Sequence, residues 1–317
     1  MDKLLEGVGY FFDNPKIRVR MLTPLVNVHG PRDLRPINFA DGVVMRPITD
    51  EEFSELYNYS HIFTFSTNNF TNADFVFAQD IEIKKQVGNF GSMESGLESQ
   101  LHQKILDMCI FALATFKDGG AVGCGWTRIL PAQMAFGVGF GSFSLGRSEH
   151  VPPARYDLSV EEAPSLEKHA QTFERNPHPS LEVALQRLVD SARRVNDRDS
   201  IIDSLIGLES ILLREIGEKD RSEVSFRFAI NYAYLFPVAE RKDAYKIAKD
   251  LYKLRSQIAH GGSPKQQERI KGKSMGLEEI ANLSRSMLRK TITKFLGNTE
   301  HPEFLKEGYW SDRRLGL

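Results

Sequence analysis

Near the end of a long charged and apolar stretch the sequence reads YKLRSQIAHGG, Tyr252 to Gly262. Two of these residues are of types that do chemistry together. An imidazole titrates near neutrality and can take or give a proton. A guanidinium is always charged and presents a planar fork of donors that suits a phosphate. On an ideal helix Arg255 and His260 lie about 140° apart, so they do not meet while both stay helical. Gly261 changes that expectation, because a glycine just past a helix supplies the left-handed position that ends it. His260 then becomes the last or capping residue, and its ring can leave the helix line towards a ligand that Arg255 also reaches. Taken alone, the same histidine is a helix cap whose charge suits the negative end of the dipole.

Ile247, Leu251, Leu254 and Ile258 recur at helical spacing and define an expected core stripe, with Arg255 and His260 off it. Glu209 breaks the local rule in the other direction. It lies four residues after Leu205 and three before Leu212, on an apolar face where an unpaired carboxylate would be unfavourable. A partner is required, and Arg227 and Arg255 are the candidates. The pair is equally suited to a structural ion pair and to a supporting place in a site. Ser256, directly after the arginine, is a further polar candidate. The segment SPKQQERIKGKS that follows reads as a basic loop, a solvated turn or a phosphate contact. GVGFGSFSLG, Gly137 to Gly146, lacks the lysine and following helix of a phosphate loop and reads as a strand with bends. His29, His61, His102, His150, His169, His178 and His301 show no metal-ligand spacing, and no metal or other cofactor is expected.

The elements that must position these residues are helices. After Pro179 the apolar period is helical and stays so. Leu181, Leu185, Leu188 and Val189 begin one helix, and Ile201, Leu205, Leu208 and Leu212 make a second. SEVSFRFAINYAYLF makes a third, stopped by Pro237. VAERKDAYKIAKDLYKLRSQIAH makes the fourth, which carries the arginine and histidine, and MGLEEIANLSRSMLRKTITKFL the fifth. Long amphipathic helices on short connections predict an all-α antiparallel bundle over 181–317. Residues 1–150 read as a mixed α+β domain. GVVMRPIT, DFVFAQDIEIKKQ and VGCGWTRIL are strand-like, while SQLHQKILDMCIFALATF, with Leu101, Ile105, Met108 and Leu113, is a buried helix. Five prolines and many charges over 151–180 read as a linker or extended strap.

At 317 residues the chain has room for two ordinary domains, and 41% hydrophobic with 26% charged residues is a globular composition. A net charge of −1 argues against a protein that coats nucleic acid by charge alone. The halves differ: residues 181–317 hold 25 basic and 20 acidic side chains, +5, and residues 1–180 hold 16 and 22, −6. The first residues do not read as a secretory signal and no apolar run is long enough for a membrane span. Cys109 and Cys124 lie too far apart for a metal knuckle, and a cytoplasmic location is expected.

A five-helix region with LYKLRSQIAHG closing its fourth helix resembles the HEPN superfamily, in particular its ApeA-like branch. The signature there is an arginine, four to six residues and a histidine, here Arg255, Ser256 to Ala259, and His260. DSLIGLESILL on the second helix, SFRFAINYA on the third and LY three residues before the arginine also resemble that branch. The likeness covers about residues 181–297.

It implies a HEPN-like bundle that cleaves RNA without a metal, in defence or stress response, with Arg255 and His260 as the catalytic pair; the residues themselves offer Ser256, Glu209 and Arg227 as supporting candidates. It also implies a homodimer whose motifs line one cleft; Tyr245, Lys249 and Tyr252, off the expected core stripe, are available for such a surface, or the tyrosines cover neighbouring helices of their own bundle. Many active members place Asn, Asp or His after the arginine. Ser256 stands there in this chain and can hold phosphate or orient the histidine. Position 262 is glycine, not the tyrosine that partner nucleotidyltransferases modify in some members. The alternative is a non-catalytic bundle that binds nucleotide, RNA or a protein partner.

Overall fold

The strand-like run DFVFAQDIEIK becomes the spine of a sheet. In the computed structural model the residues described are 15–54, 73–84, 95–123, 127–129, 154–175, 181–214, 223–262, 264–296 and 308–315, with residues 9 and 13. The chain divides into two compact units, Met1–Arg175 and Asn176–Leu317. Among the described residues no helix is long and apolar enough to cross a membrane.

In the first unit β1 (Lys16–Val26) and β5 (Phe75–Lys84) pair antiparallel over ten residues, from Lys16 opposite Lys84 to Leu25 opposite Phe75. The other strands are β2 (Val28–His29), β3 (Ile37–Asn38), β4 (Val44–Pro47), β6 (Val122–Gly123), β7 (Thr127–Ile129) and β8 (Tyr156–Asp157). The main sheet runs β3-β4-β5-β1-β6 with β7 also on β1, and β2 pairs with β8 in parallel. Phe75, Val76, Phe77 and Ala78 are all buried, so the centre of β5 is covered on both faces.

Helix α1 (Ser95–Phe116) packs on α2 (Ala163–Arg175). On α1 the buried residues include Leu106, Cys109, Ile110 and Leu113, whereas Ile105 and Met108 are half-buried, so the apolar stripe lies to one side of the expected one. Burial pushes the Cys109 thiol far above its ordinary range and leaves it an apolar filler. Residues 154–175, expected as part of a linker or strap, are a strand and a helix of this unit. Ala163, Leu166, Ala170 and Phe173 form a buried 3-4-3 stripe that the surrounding prolines and charges obscure in the sequence. His169 on α2 meets the Thr115 hydroxyl at 2.8 Å, and His29 meets Asp74 at 2.9 Å. The stretch Gly137 to Gly146 and Cys124 lie outside the described residues.

The second unit holds the five expected helices, α3 (Glu182–Arg193), α4 (Asp197–Leu212), α5 (Val224–Tyr234), α6 (Val238–Ala259) and α7 (Leu277–Leu296). Three residues separate α3 from α4 and α5 from α6, and each pair packs along its length, which makes two helical hairpins. Asn196 caps α4 by accepting from the Arg198 amide at 2.9 Å. Pro237 follows α5 and stands as the N-cap of α6.

Helix α4 is central, touching α3, α5, α6 and α7. Gly207 lets α7 approach it: a Cβ there would lie 2.7 Å from Leu288 Cδ2. Asp203, buried, joins the hairpin by meeting Arg187 and Arg194 at 2.7 Å each.

Two elements add to the five expected helices, and one of them departs from an all-α bundle. The expected basic loop is a β-hairpin, β9 (Gln267–Ile270) and β10 (Lys273–Gly276), turned by Lys271 and Gly272, both at positive φ, with the buried Ile270 anchoring it. A further helix, α8 (Tyr309–Leu315), buries Trp310, whose indole N–H donates to the Ile211 carbonyl at 3.2 Å.

Candidate functional site

The end of α6 is fixed by its two glycines. His260 is the C-cap residue, with its amide donating to the Ser256 carbonyl at 3.1 Å. Gly261, at φ 78°, donates to Ile258 O at 3.0 Å, and Gly262 donates to Gln257 O at 2.9 Å. These two bonds are the paired C-terminal closure of the Schellman motif. Gly262 is also held by space, since a Cβ there would sit 2.8 Å from both the Gln257 carbonyl oxygen and its Cγ. The His260 ring is therefore carried outward on a rigid helix end. It is exposed and makes no hydrogen bond or ion pair among the described residues.

Arg255 is placed differently from expectation. The buried residues of α6 are Ala244, Ala248, Leu251 and Leu254. Arg255 follows Ala244, Ala248 and Leu251 at intervals of eleven, seven and four, so it continues the core stripe instead of lying off it. Ile247 and Ile258, counted into the expected stripe, are only half-buried.

At that place Arg255 meets Glu209 across the α4–α6 contact. Nη2 donates to Oε2 at 3.1 Å, and Nε lies 3.0 Å from Oε1. Nε and Oε1 are buried and matched in charge, but the N–H does not point at the oxygen. Burial pushes the Glu209 carboxyl above the ordinary carboxylate range, and Arg255 opposes this only in part. Nη1 of Arg255 has no partner among the described residues.

Tyr252, one turn before Arg255, completes this cluster. Burial raises its hydroxyl pKa, Glu209 raises it further and Arg255 lowers it. Its ring packs on the buried Phe228, centroids 5.0 Å apart. Tyr245 packs in the same way on Phe226 at 6.2 Å. Both tyrosines, proposed from sequence for a pairing surface, thus cover a neighbouring helix of their own bundle.

The structure therefore brings together Arg255, Glu209 and Tyr252, and the exposed His260 ring makes no hydrogen bond or ion pair with them. Of the two candidate partners for Glu209 it selects Arg255. Arg227 is half-buried on α5, with its amide donating to the Glu223 carbonyl at 2.9 Å. Ser256 is half-buried and joins His260 only through its own backbone carbonyl. Tyr252 was legible as the LY of the motif, but its electrostatic tie to Glu209 needs α4 beside α6.

The basic segment after the helix also has a site-building part that charge counting missed. The Lys271 amide donates to Asp250 at 2.8 Å, and its ammonium meets Asp243 at 2.6 Å, docking the hairpin along α6. No protein-family model, no curated protein and no solved structure matches this chain.

Proposed function

We propose that the helical unit is a metal-independent endoribonuclease of the HEPN type. The observation that carries the reading is His260: an exposed imidazole held on the rigid end of the helix that also holds an anchored arginine. In the proposed step the base removes the proton of a ribose 2′-hydroxyl, and the 2′-oxygen forms a bond to phosphorus. The phosphorus–5′-oxygen bond breaks, and the leaving oxygen takes a proton from a general acid. Products are a 2′,3′-cyclic phosphate and a 5′-hydroxyl. Arg255 meets the charge growing on the phosphate through Nη1, with Glu209 holding the guanidinium in place.

Within one chain Arg255 is anchored to Glu209 on the packed side of α6 while His260 is exposed at its end, and there is one histidine at the motif. The reading therefore includes a homodimer, in which a second copy supplies the general acid and the opposing arginine to a shared cleft.

The test is incubation of the full chain with mixed RNA in chelator, with analysis of the product ends. His260→Ala and His260→Asn should each lower cleavage by at least about a hundredfold. Their thermal midpoints should stay within about 2 °C of the parent, because an exposed ring gives up little packing. Cleavage by His260→Ala equal to that of the parent protein in chelator would sink this reading.

The second reading is a non-catalytic bundle that binds RNA, nucleotide or a protein. It is favoured by one observation, that Arg255 already has a resident carboxylate on the buried face. RNA that binds and is released intact would support it.

A further inference from the structure

Helix α6 carries four lysines, Lys242, Lys246, Lys249 and Lys253, at intervals of four, three and four. At about 100° per residue they fall within an arc of about 60°, and His260 falls on the same arc. All four lysines and His260 are exposed. None of the four has a hydrogen-bonded or ion-paired partner among the described residues. The row is about 16 Å long, from eleven residues at about 1.5 Å each.

Acids occur beside it but are engaged elsewhere. Asp243 and Asp250, on the flank towards the hairpin, are both taken by Lys271. Its hydrogen bond, with Lys246 and Lys242 adding, holds the Asp243 carboxyl below its ordinary range. The opposite flank is aromatic. Tyr245 packs edge to face with Phe226, which is 47% exposed, and Lys249 Nζ lies 5.8 Å from the Tyr245 ring centre. An exposed aromatic ring thus lies beside a row of lysines that carry no ion pair among the described residues, a cationic track with an aromatic edge.

We propose that this face binds single-stranded RNA, the lysine row taking successive phosphates and Phe226 with Tyr245 stacking bases, so that the strand is led along α6 to His260. The inference deepens the ribonuclease reading and rests on it for the identity of the polymer. The lysines stand about 4.5–6 Å apart along the helix axis, so the row offers up to four contacts to successive phosphates of a strand lying along it. Stacking on aromatics beside a basic track is how strands are held without reading their sequence. An acidic peptide would use the lysines but would leave Phe226 without a purpose.

The test uses the full chain and a fluorescein-labelled 12-mer of 2′-O-methyl RNA, which keeps phosphates and bases but cannot be cut, so binding is read whether or not the protein cleaves. Dissociation constants are measured against salt by fluorescence anisotropy. Replacing all four lysines by glutamine should lower the slope of log Kd against log salt by about 2.8, at about 0.7 per phosphate contact on a single strand. Replacing them by arginine should keep the slope. Phe226→Ala should weaken binding about tenfold with the slope unchanged.

An unchanged slope in the glutamine variant, with its circular dichroism intact, would overturn the proposal, as would absence of binding by the parent protein. Equal affinity for a poly-glutamate peptide, indifferent to Phe226→Ala, would overturn it in favour of an acidic protein partner. Loss of cleavage alone in His260→Ala, with binding retained, leaves the track standing while testing the chemistry.

Discussion

Arg255 shows what one position can conceal. Its type suggested a phosphate ligand standing clear of the core, because the isoleucines and leucines of α6 draw the eye to a stripe that excludes it. The packed stripe is built on alanines, Ala244 and Ala248, which apolar counting undervalues, and it ends on Arg255. Glu209, by contrast, was legible as a carboxylate in need of a partner. Only the placement of α4 beside α6 could choose between Arg227 and Arg255.

The pair has a consequence for pH. The folded-state pKa of Glu209 is raised, so what this group contributes to stability is present below its unfolded pKa and is lost as pH rises through the raised value. Arg255→Ala removes the partner that opposes the rise. It should therefore lower unfolding free energy by about 1–2 kcal/mol near pH 7, where the carboxylate is left charged and half-buried, and by clearly less near pH 4. Urea unfolding at the two pH values reads this directly, and an equal loss at both would show that the pair contributes packing only. Glu209→Gln in the same background should restore most of the loss near pH 7. Cleavage lost in Arg255→Ala thus bears on chemistry only when these stability effects are subtracted.

Among the elements, the helices of the second unit were readable because their period is long and their stops are chemical: Asn196, Pro237 and the Gly261–Gly262 pair. The hairpin was not readable. Its strands have four residues each, its composition is basic and polar, and a single buried side chain, Ile270, marks the inner face. Helix α2 was hidden for the opposite reason, a clear apolar stripe enclosed in proline and charge.

The closing turn of α6 makes an element-scale prediction. Gly261→Ala forces an L-residue to φ 78° and should cost about 1–2 kcal/mol. Because that turn sets where His260 stands, the variant should also lose activity beyond what its stability loss explains. Amide exchange at Ile258, Ala259 and His260 should accelerate while the middle of α6 stays protected. Protection unchanged at those three amides would mean the cap is dispensable.

At the scale of the whole molecule, the division into two units follows the change of pattern in the sequence, from strand-like to helical, although the region expected to link them is largely part of the first. Assembly is the property a single sequence carries least, because a pairing surface has no period. The ribonuclease reading needs two copies, so light scattering at micromolar concentration should give twice the 35.9 kDa chain mass. A monomer that still cleaves would remove the two-fold cleft from the mechanism. Two lysine rows set face to face would repel, so such a pair must meet near the His260 end and leave the rows as separate approaches.

Lys271 lies outside that row, in the turn of a short hairpin, yet it occupies Asp243 and Asp250 on the same helix. With Lys271 in place, Asp243 and Asp250 are bonded to the hairpin, and Lys242 and Lys246 act on Asp243 through space without an ion pair. If the hairpin swung away, Asp243 would be free to pair with Lys242 or Lys246, and the track would attract a polyanion less strongly without any change to α6. The hairpin is in that sense a volume control: a folded turn that decides how strongly the adjacent helix draws a polyanion.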